Sequence, residues 1–235
     1  MIIIAGPCVI EDKETLRQTV EKLLESISNK NIDFYFKSSW RKDNRTTPNK
    51  FTGLDQQKAI SYLIDIKKEY NVKICTDFHL PQQLDMALDI DMIQIPAFLA
   101  KQLEILEAAS KYSKEYNKIL HIKKPQFVGP EDTVNIINNV YTYGTNNAII
   151  TDRGTMLGYN QVFMDPRHVN IMKSSGAPVL VDITHPNKNY PGNTKNNSET
   201  LGQSYIAAGA DGIFLEAHPK CDQAKCDADT MLDIN

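Results

Sequence analysis

This sequence contains no G-x-x-x-x-G-K-[ST] loop, no G-x-G-x-x-G turn and no G-x-S-x-G elbow. P-loop nucleotide binding, dinucleotide binding and serine-hydrolase chemistry therefore lack the local backbone features on which they depend. An excess of one charge is also missing. The 26 basic and 29 acidic residues leave a net charge of −3, which supplies no general attraction to nucleic acid or to a membrane surface. Cysteine is sparse: Cys8, Cys75, Cys221 and Cys226 form no C-x-x-C pair and stand in no secretory context, so a disulfide framework is not expected. The opening Met1-Ile2-Ile3-Ile4-Ala5 is too short for a signal core and has no basic leader; it reads as the first strand of a cytoplasmic protein.

What the chain does have is eight short apolar stretches, at 2–5, 34–36, 72–75, 92–95, 119–122, 148–150, 178–181 and 212–215. Nearly every one stops at a residue that can do chemistry. They run into Gly6-Pro7-Cys8, Lys37, Asp77, Lys123-Lys124, Asp152-Arg153, Asp182 with His185, and Glu216 with His218, while Gln94 lies inside the fourth. Segments of helical period lie between them. Residues 14–27 place Leu16, Val20, Leu23, Leu24 and Ile27 on one face, and 57–70 do the same with Ile60, Leu63, Ile64 and Ile66. Further helices are expected at 99–112, 130–141, 166–173 and 198–208, with a short one at 81–88. The repeat of strand and helix is roughly 30 residues, the size of a βα unit, and the chain is close to the length of about 250 typical of an eight-fold barrel.

The expected fold is therefore α/β, a single (β/α)8 TIM-barrel catalytic domain over residues 1–235, with its reaction centre at the carboxyl ends of the strands. Beyond Glu216 only 221–235 remains, enough to begin an eighth helix, so a short or truncated final helix is expected, with either poor barrel closure or a truncated chain as its meaning. The Asn-, Lys-, Pro- and Gly-rich stretch 186–197 reads as a mobile segment over the active end.

Two constellations carry chemistry. Cys8, His185, Glu216 and Asp227 offer the thiolate, imidazole and carboxylate donors that bind divalent transition metals. Three of them follow the first, seventh and eighth strands, which are neighbours in a closed barrel. Their sequence spacing matches no short metal motif, and a lone cysteine is by default a small buried hydrophobe. The second set is cationic: Lys37, Lys42, Arg45, Lys123, Lys124 and Arg153, all at or just beyond strand ends. On a slightly acidic chain, cations converging on one rim imply an anionic substrate, with Arg suited to a bidentate grip and Lys acting as a point charge. For Lys42 and Arg45, in a polar loop, a solvated surface role stands equally open; for Lys37, Lys123 and Arg153, directly after apolar strands, the functional reading is favoured.

Ten ordered blocks carry a family resemblance: AGPCVIE (5–11), FKSS (36–39), KDNRTT (42–47), TDFH (76–79), IQIPAFLAKQ (93–102), IKKPQF (122–127), TDRGTMLGYN (151–160), VDITH (181–185), FLEAHP (214–219) and KCDAD (225–229). Together they resemble the 3-deoxy-D-manno-octulosonate 8-phosphate synthases, in the superfamily that also contains the 3-deoxy-D-arabino-heptulosonate 7-phosphate synthases. IPAF, KKPQF and KDNRTT are more similar to the octulosonate branch.

The resemblance implies an aldol-type condensation of phosphoenolpyruvate with arabinose 5-phosphate, without organic cofactor, feeding lipopolysaccharide synthesis. By similarity Lys37, Lys42, Lys124 and Arg153 hold phosphoenolpyruvate beside Lys123, while Gln94 and Phe98 shape its pocket. Asn44, Arg45 and Thr46 face the sugar phosphate, partly across a subunit boundary of a homotetramer. Members carrying AGPC use the thiolate with a His, a Glu and an Asp as metal ligands, which implies Cys8, His185, Glu216 and Asp227 around Zn, Fe, Mn or Co. Asp77 and His79 are candidates for proton transfer or hydrogen bonding, although an Asp at a barrel rim also serves as a helix cap. The chain departs from the family at Phe51-Thr52-Gly53, where an Arg usually stands in an FRG block, and at 187–197, where a glycine-rich, Arg-containing stretch is usual. Both departures bear on the aldose acceptor, leaving another aldose such as erythrose 4-phosphate, or ligand binding without turnover, as alternatives.

Overall fold

Eight parallel strands close into a barrel in the computed structural model, which describes residues 1–28, 31–45, 47, 49–159, 161–188 and 194–234. The strands are β1 (Ile2–Gly6), β2 (Asp33–Lys37), β3 (Lys73–Asp77), β4 (Met92–Ile95), β5 (Ile119–Lys123), β6 (Ala148–Asp152), β7 (Val179–Asp182) and β8 (Gly212–His218). Each pairs with its sequence neighbour. The ring then closes between β8 and β1 along the whole of β1, from Ile2 opposite Gly212 to Gly6 opposite Glu216. The poor closure expected from the short tail does not occur, because closure is a property of strand register and needs no eighth helix.

The tail forms one 3-10 turn, Cys221–Gln223, and a two-residue strand, Leu232–Asp233, paired with the end of β8. That return lays residues 224–231 across the carboxyl end of β1. Outer helices follow the sequence expectation: α1 (Lys13–Ile27), α2 (Gln56–Tyr70), α3 (Leu103–Glu115), α4 (Asp132–Tyr143), α5 (His168–Lys173) and α6 (Thr194–Ala207). Asp12 caps α1 by accepting the Thr15 amide at 2.7 Å, and the buried stripe Leu16, Val20 and Leu23 faces the barrel. After β3 a 3-10 stretch, Pro81–Met86, takes the place of an α-helix. Of the expected mobile loop, 189–193 lies outside the described residues, and α6 begins inside its far end. No helix among the described residues is long and apolar enough to cross a membrane.

The period of two along each strand sorts side chains into an inner and an outer set. Ala5, Phe34, Phe36, Ile74, Ile93, Ile95, Leu120, Ile122, Ile150 and Val179 face the helices in one apolar layer. Ile4, Tyr35, Cys75, Met92, Ile149, Leu180 and Phe214 fill the barrel interior. On β5 the interior position belongs to His121, whose Nε2 lies 2.6 Å from Thr151 Oγ1 and whose charge is suppressed by burial and by Lys123 and Lys37. Two residues further on, the same inward parity gives Lys37, Asp77, Gln94, Lys123, Asp182 and Glu216. The apolar layer is thus the floor of a polar chamber, and the barrel's repeat dictates which residues rim it. On β1 the equivalent place is Gly6, where a Cβ would stand 2.1 Å from the Lys37 carbonyl oxygen; only glycine fits that approach.

Candidate active site

A pocket of about 400 Å³ opens at the carboxyl end of the barrel. Its lining includes Lys37, Lys42, Asn44, Asp77, His79, Gln94, Phe98, Lys123, Arg153, His185 and Glu216, all anticipated from sequence, together with Asp43 and Phe214. Of the anticipated residues, Lys124, Arg45, Cys8 and Asp227 are not part of that lining. Lys124 has the outward parity: its ammonium is buried away from the chamber, donating to the Gly154 carbonyl at 2.7 Å and the Thr155 hydroxyl at 2.9 Å, with Asp152 at 3.8 Å. Lys123, its neighbour, carries the charge that reaches the pocket. Arg45 does not line the pocket; its guanidinium donates to the carbonyls of Phe51 at 2.9 Å and Lys225 at 3.4 Å, tying the loop after β2 to the tail. Thr46 lies outside the described residues.

The cationic wall is deeply buried. Lys37 is 2% exposed and donates to Ser39 Oγ at 2.9 Å, and that hydroxyl donates in turn to Asp77 Oδ2 at 2.9 Å. Lys123 pairs with Asp182 and sits 3.3 Å from the centroid of the Phe214 ring. Burial outweighs the attraction of Asp182 and brings the Lys123 pKa down to about 8. Lys42 behaves oppositely: burial works against its charge, but Cys8, Glu216 and Asp77 around it raise its pKa well above the usual lysine value. Asp77 is buried as well, yet His79, Lys37 and Lys42 hold it ionised far below the usual carboxylate range. Ground-state charge of both signs is stored here at a cost in solvation, as expected of a site that meets a charged ligand.

Directly beside Lys37 and Lys42 the anticipated metal donors come together in two overlapping groups. His185, Glu216 and Asp227 form one, and Cys8, Cys226 and Asp227 the other, with donor atoms within 4.8 Å of one another in each. Cys8 Sγ lies 3.2 Å from Asp227 Oδ2 and 2.8 Å from Cys226 Sγ. Cys226 was not picked out from the sequence. Its signal was adjacency to Asp227 in KCDAD, but only the fold brings it 218 positions back to Cys8. Asp227 takes a left-handed φ of 48°, an uncommon conformation for a residue with a Cβ, which aims its carboxylate back at β1.

The donor set fits a divalent transition metal on two observations. Neither Glu216 oxygen has a hydrogen-bond partner among the described residues, although the side chain is buried; Lys37 at 3.7 Å, Lys42 at 4.0 Å and His185 at 3.6 Å stand around Oε1 instead. An ionised carboxylate left this way is either very costly or a ligand. Asp182 supplies the second observation. Its Oδ2 lies 2.7 Å from His185 Nδ1 while its Oδ1 accepts the amides of Thr184 and His185 at 3.0 Å, so the imidazole is fixed with Nδ1 donating and Nε2 turned toward Glu216. Against these, burial and the contact with Cys226 push the Cys8 thiol well up, so thiolate formation there requires a cation that displaces the proton.

Comparison with known proteins gives the family. The family model described as the DAHP synthetase I family matches residues 1–235. A 2-dehydro-3-deoxyphosphooctonate aldolase of Geobacter sp. (strain M21) is 36% identical over 243 residues, covering 100% of this chain and 87% of that protein. The proteins of the same name from Rickettsia typhi, 36% identical over 100% of this chain and 86% of theirs, and from Nitratidesulfovibrio vulgaris (strain DP4), 36% identical over 96% and 84%, are similar in the same way. With the match running from the first strand to the end of the tail, the chain belongs to the DAHP synthetase I family.

Proposed function

We propose that this protein is a metal-dependent synthase that condenses phosphoenolpyruvate with arabinose 5-phosphate, giving 3-deoxy-D-manno-octulosonate 8-phosphate and inorganic phosphate. One observation carries the reading: Lys37, Lys42, Lys123 and Arg153 converge on a single pocket that also holds, beside Lys37 and Lys42, a buried Glu216 carboxylate without a hydrogen bond among metal-type donors. Four cations in a chamber of this size suit a small ligand bearing both a phosphate and a carboxylate. The names of the relatives and the likeness of the KDNRTT and IPAF blocks support the sugar-phosphate acceptor.

In this reading Lys37, Lys123 and Arg153 bind and orient phosphoenolpyruvate, with Gln94 and Phe98 setting its tilt. Carbon 3 then attacks the aldehyde carbon, the carbonyl electron pair moves to oxygen, water adds at carbon 2, and phosphate departs by C–O cleavage. No side chain forms a covalent bond, so the residues act by holding two anions in line and by stabilising charge. Asp77 and His79 sit where a proton on the acceptor oxygen can be held or passed, and Asn44 faces the sugar. Lys124 acts indirectly, fastening the turn after β6 through Gly154 and Thr155. Cys8, His185, Glu216 and Asp227 would hold the ion, with Cys226 beside them; Zn, Fe, Mn or Co all accept such donors, and the ion would supply Lewis acidity to the aldehyde and to the water. No organic cofactor is required.

A cytoplasmic homotetramer completes the proposal. Exposed Phe98, Phe127, Leu157, Tyr159 and Phe163, in the connections that follow β4, β5 and β6, are the apolar surface a neighbouring copy would cover. A second acceptor reading is kept open by Thr52, an exposed neutral residue whose carbonyl binds the Lys42 amide at 2.7 Å in place of the family's usual Arg. Phosphate release from phosphoenolpyruvate decides between them. Release with arabinose 5-phosphate that EDTA removes and a divalent metal restores supports the proposal. Release with erythrose 4-phosphate alone transfers the acceptor assignment, and silence with both aldoses in metal-loaded, folded protein overturns the arabinose 5-phosphate assignment in favour of a changed acceptor or of ligand binding without turnover.

A further inference from the structure

His79 is more tightly specified than a hydrogen-bonding residue on a loop needs to be. Its backbone amide donates to Gln83 Oε1 at 2.8 Å, its ring stacks on the buried Trp40 ring at a centroid distance of 6.0 Å, and Trp40 is itself anchored by donating to the Asp77 carbonyl at 2.9 Å. The third constraint comes from the loop after β2. Asp43 Oδ2 lies 2.7 Å from His79 Nδ1, while Asp43 Oδ1 is held by the Arg41 guanidinium. On the other side of the ring, Nε2 faces Asp77 Oδ2 at 3.4 Å, a contact too long to occupy that nitrogen fully. The result is one connected path from the rim to the floor of the pocket: Arg41, Asp43, His79, Asp77, Ser39, Lys37.

We infer that Asp43 is a positioning residue for the reaction proposed above: its carboxylate, braced by Arg41, fixes the His79 imidazole through Nδ1 and leaves Nε2 presented to the acceptor end of the pocket. The inference rests on that functional reading for what His79 does, and on the geometry alone for what Asp43 does to it. Asp43 lines the same pocket as Lys37 and Lys123, but with Asp43 41% and Arg41 52% exposed the brace stands at the solvent-facing mouth of the site, with only the His79 ring beneath it buried.

Electrostatics runs the same way. Burial works against a charged His79, but Asp77 and Asp43 together raise its pKa above the ordinary histidine value. The other charges packed about it are Lys42 from the same loop as Asp43 and Lys37 from β2, both of which act on Asp77, and across the pocket Lys123, Arg153, His185 and Glu216. Within this set only Asp43 and Asp77 touch the ring. Removing the Asp43 charge therefore lets burial and the neighbouring cations lower the His79 pKa, so that the imidazolium is lost at a lower pH.

The test uses full-length, metal-loaded protein and the variants Asp43→Asn, Asp43→Glu, His79→Gln and Asp43→Asn/His79→Gln. His79 is titrated by NMR on ring-labelled histidine, with His79→Gln assigning its resonance, and kcat is followed from pH 6 to 9 with phosphoenolpyruvate and the aldose that supports turnover. The expected result is a His79 pKa lowered by about one unit in Asp43→Asn, which is tenfold in the protonation constant. The alkaline limb of kcat should fall with it, the KM for phosphoenolpyruvate should stay unchanged, and Asp43→Glu should restore much of the loss. In the His79→Gln background Asp43→Asn should have no further effect on kcat. An unmoved His79 titration, or an equal loss in both backgrounds, overturns the inference. The titration is read without turnover, so a protein inactive with every aldose would defeat the functional reading while leaving the Asp43 brace still decided.

Discussion

The two ends of this barrel carry ion pairs of the same kinds and opposite meaning. At the amino-terminal end, Lys73 meets Asp33 at 2.6 Å with side chains 54% and 44% exposed, and Lys173 meets Asp211 at 3.0 Å with 38% and 36%. At the carboxyl end, Lys37 faces Glu216 with 2% and 1% exposed, and Lys123 meets Asp182 with 5% and 0%. Exposed pairs gain little because water screens them and two flexible chains must be held still. Buried pairs lose most of their attraction to desolvation, so a fold that only needed stability would have filled those positions with apolar side chains. The contrast separates scaffold from site more sharply than any single residue does, since both ends are built from the same strands with the same period.

The largest break in that comparison comes from Lys123→Ala. It leaves Asp182 buried without its ammonium, while the Thr184 amide and hydroxyl, the His185 amide and the His185 ring remain to hold it. We expect a loss of about 3 kcal/mol in denaturant unfolding, at the lower end of the range for breaking a buried pair, together with a marked rise in the KM for phosphoenolpyruvate. Unfolding indistinguishable from wild type would place this pair in the same class as those at the amino end.

Asp182→Asn makes a finer cut. The amide keeps the shape but removes the charge that fixes the His185 tautomer, so affinity for a divalent metal should fall about 10- to 100-fold. Competition against a chromophoric chelator measures this without turnover. Unchanged affinity would mean that His185 is not a ligand.

The pH dependence of substrate binding follows from Lys123 itself. With its pKa lowered to about 8, the side chain is charged below that pH and neutral above it, whereas Lys42, whose pKa is raised, stays charged over the same range. The KM for phosphoenolpyruvate should therefore climb above about pH 8, by at most about tenfold per pH unit for the loss of one proton. A Lys123→Arg variant, which keeps its charge, should flatten that climb. A KM independent of pH between 7 and 9 would remove Lys123 from the binding wall.

These expectations show what a linear sequence exposes and what it hides. The strands were legible because each is a short apolar run ending in a polar residue, and inward parity then names Lys37, Asp77, Gln94, Lys123 and Glu216 from the floor residues two positions earlier. Parity was also the information needed for Lys124, but β5 ends at Lys123, and two adjacent lysines between a strand end and Pro125 look alike in sequence. The start of α3 shifted for a related reason: Leu99, read as helical, closes a 3-10 turn on Pro96 before the helix begins at Leu103. Cys226 and Asp43 were hidden by distance. Cys226 meets Cys8 only because the tail returns along β8, and Asp43 meets His79 only because the loops after β2 and β3 converge. Contacts between loop side chains leave no period to read.

The smallest expected effect tests the other side of the comparison. Lys73 opens β3 and reaches Asp33 at the start of β2, with its ammonium also 4.9 Å from the centroid of the Tyr35 ring and the Tyr35 hydroxyl 3.1 Å from Asp33. Despite this local network, every charged partner is half in water, and nothing buried is stranded when the ammonium goes. Tyr35 keeps its ring in the barrel interior and its hydroxyl bond to Asp33. Lys73→Ala should cost less than about 1 kcal/mol in denaturant unfolding, diminish further when salt is raised, and leave kcat and KM unchanged, because the chamber lies at the far end of the same strand. A loss near that of Lys123→Ala would show that burial does not separate the two ends and that the amino-terminal pairs are part of what holds the strand register.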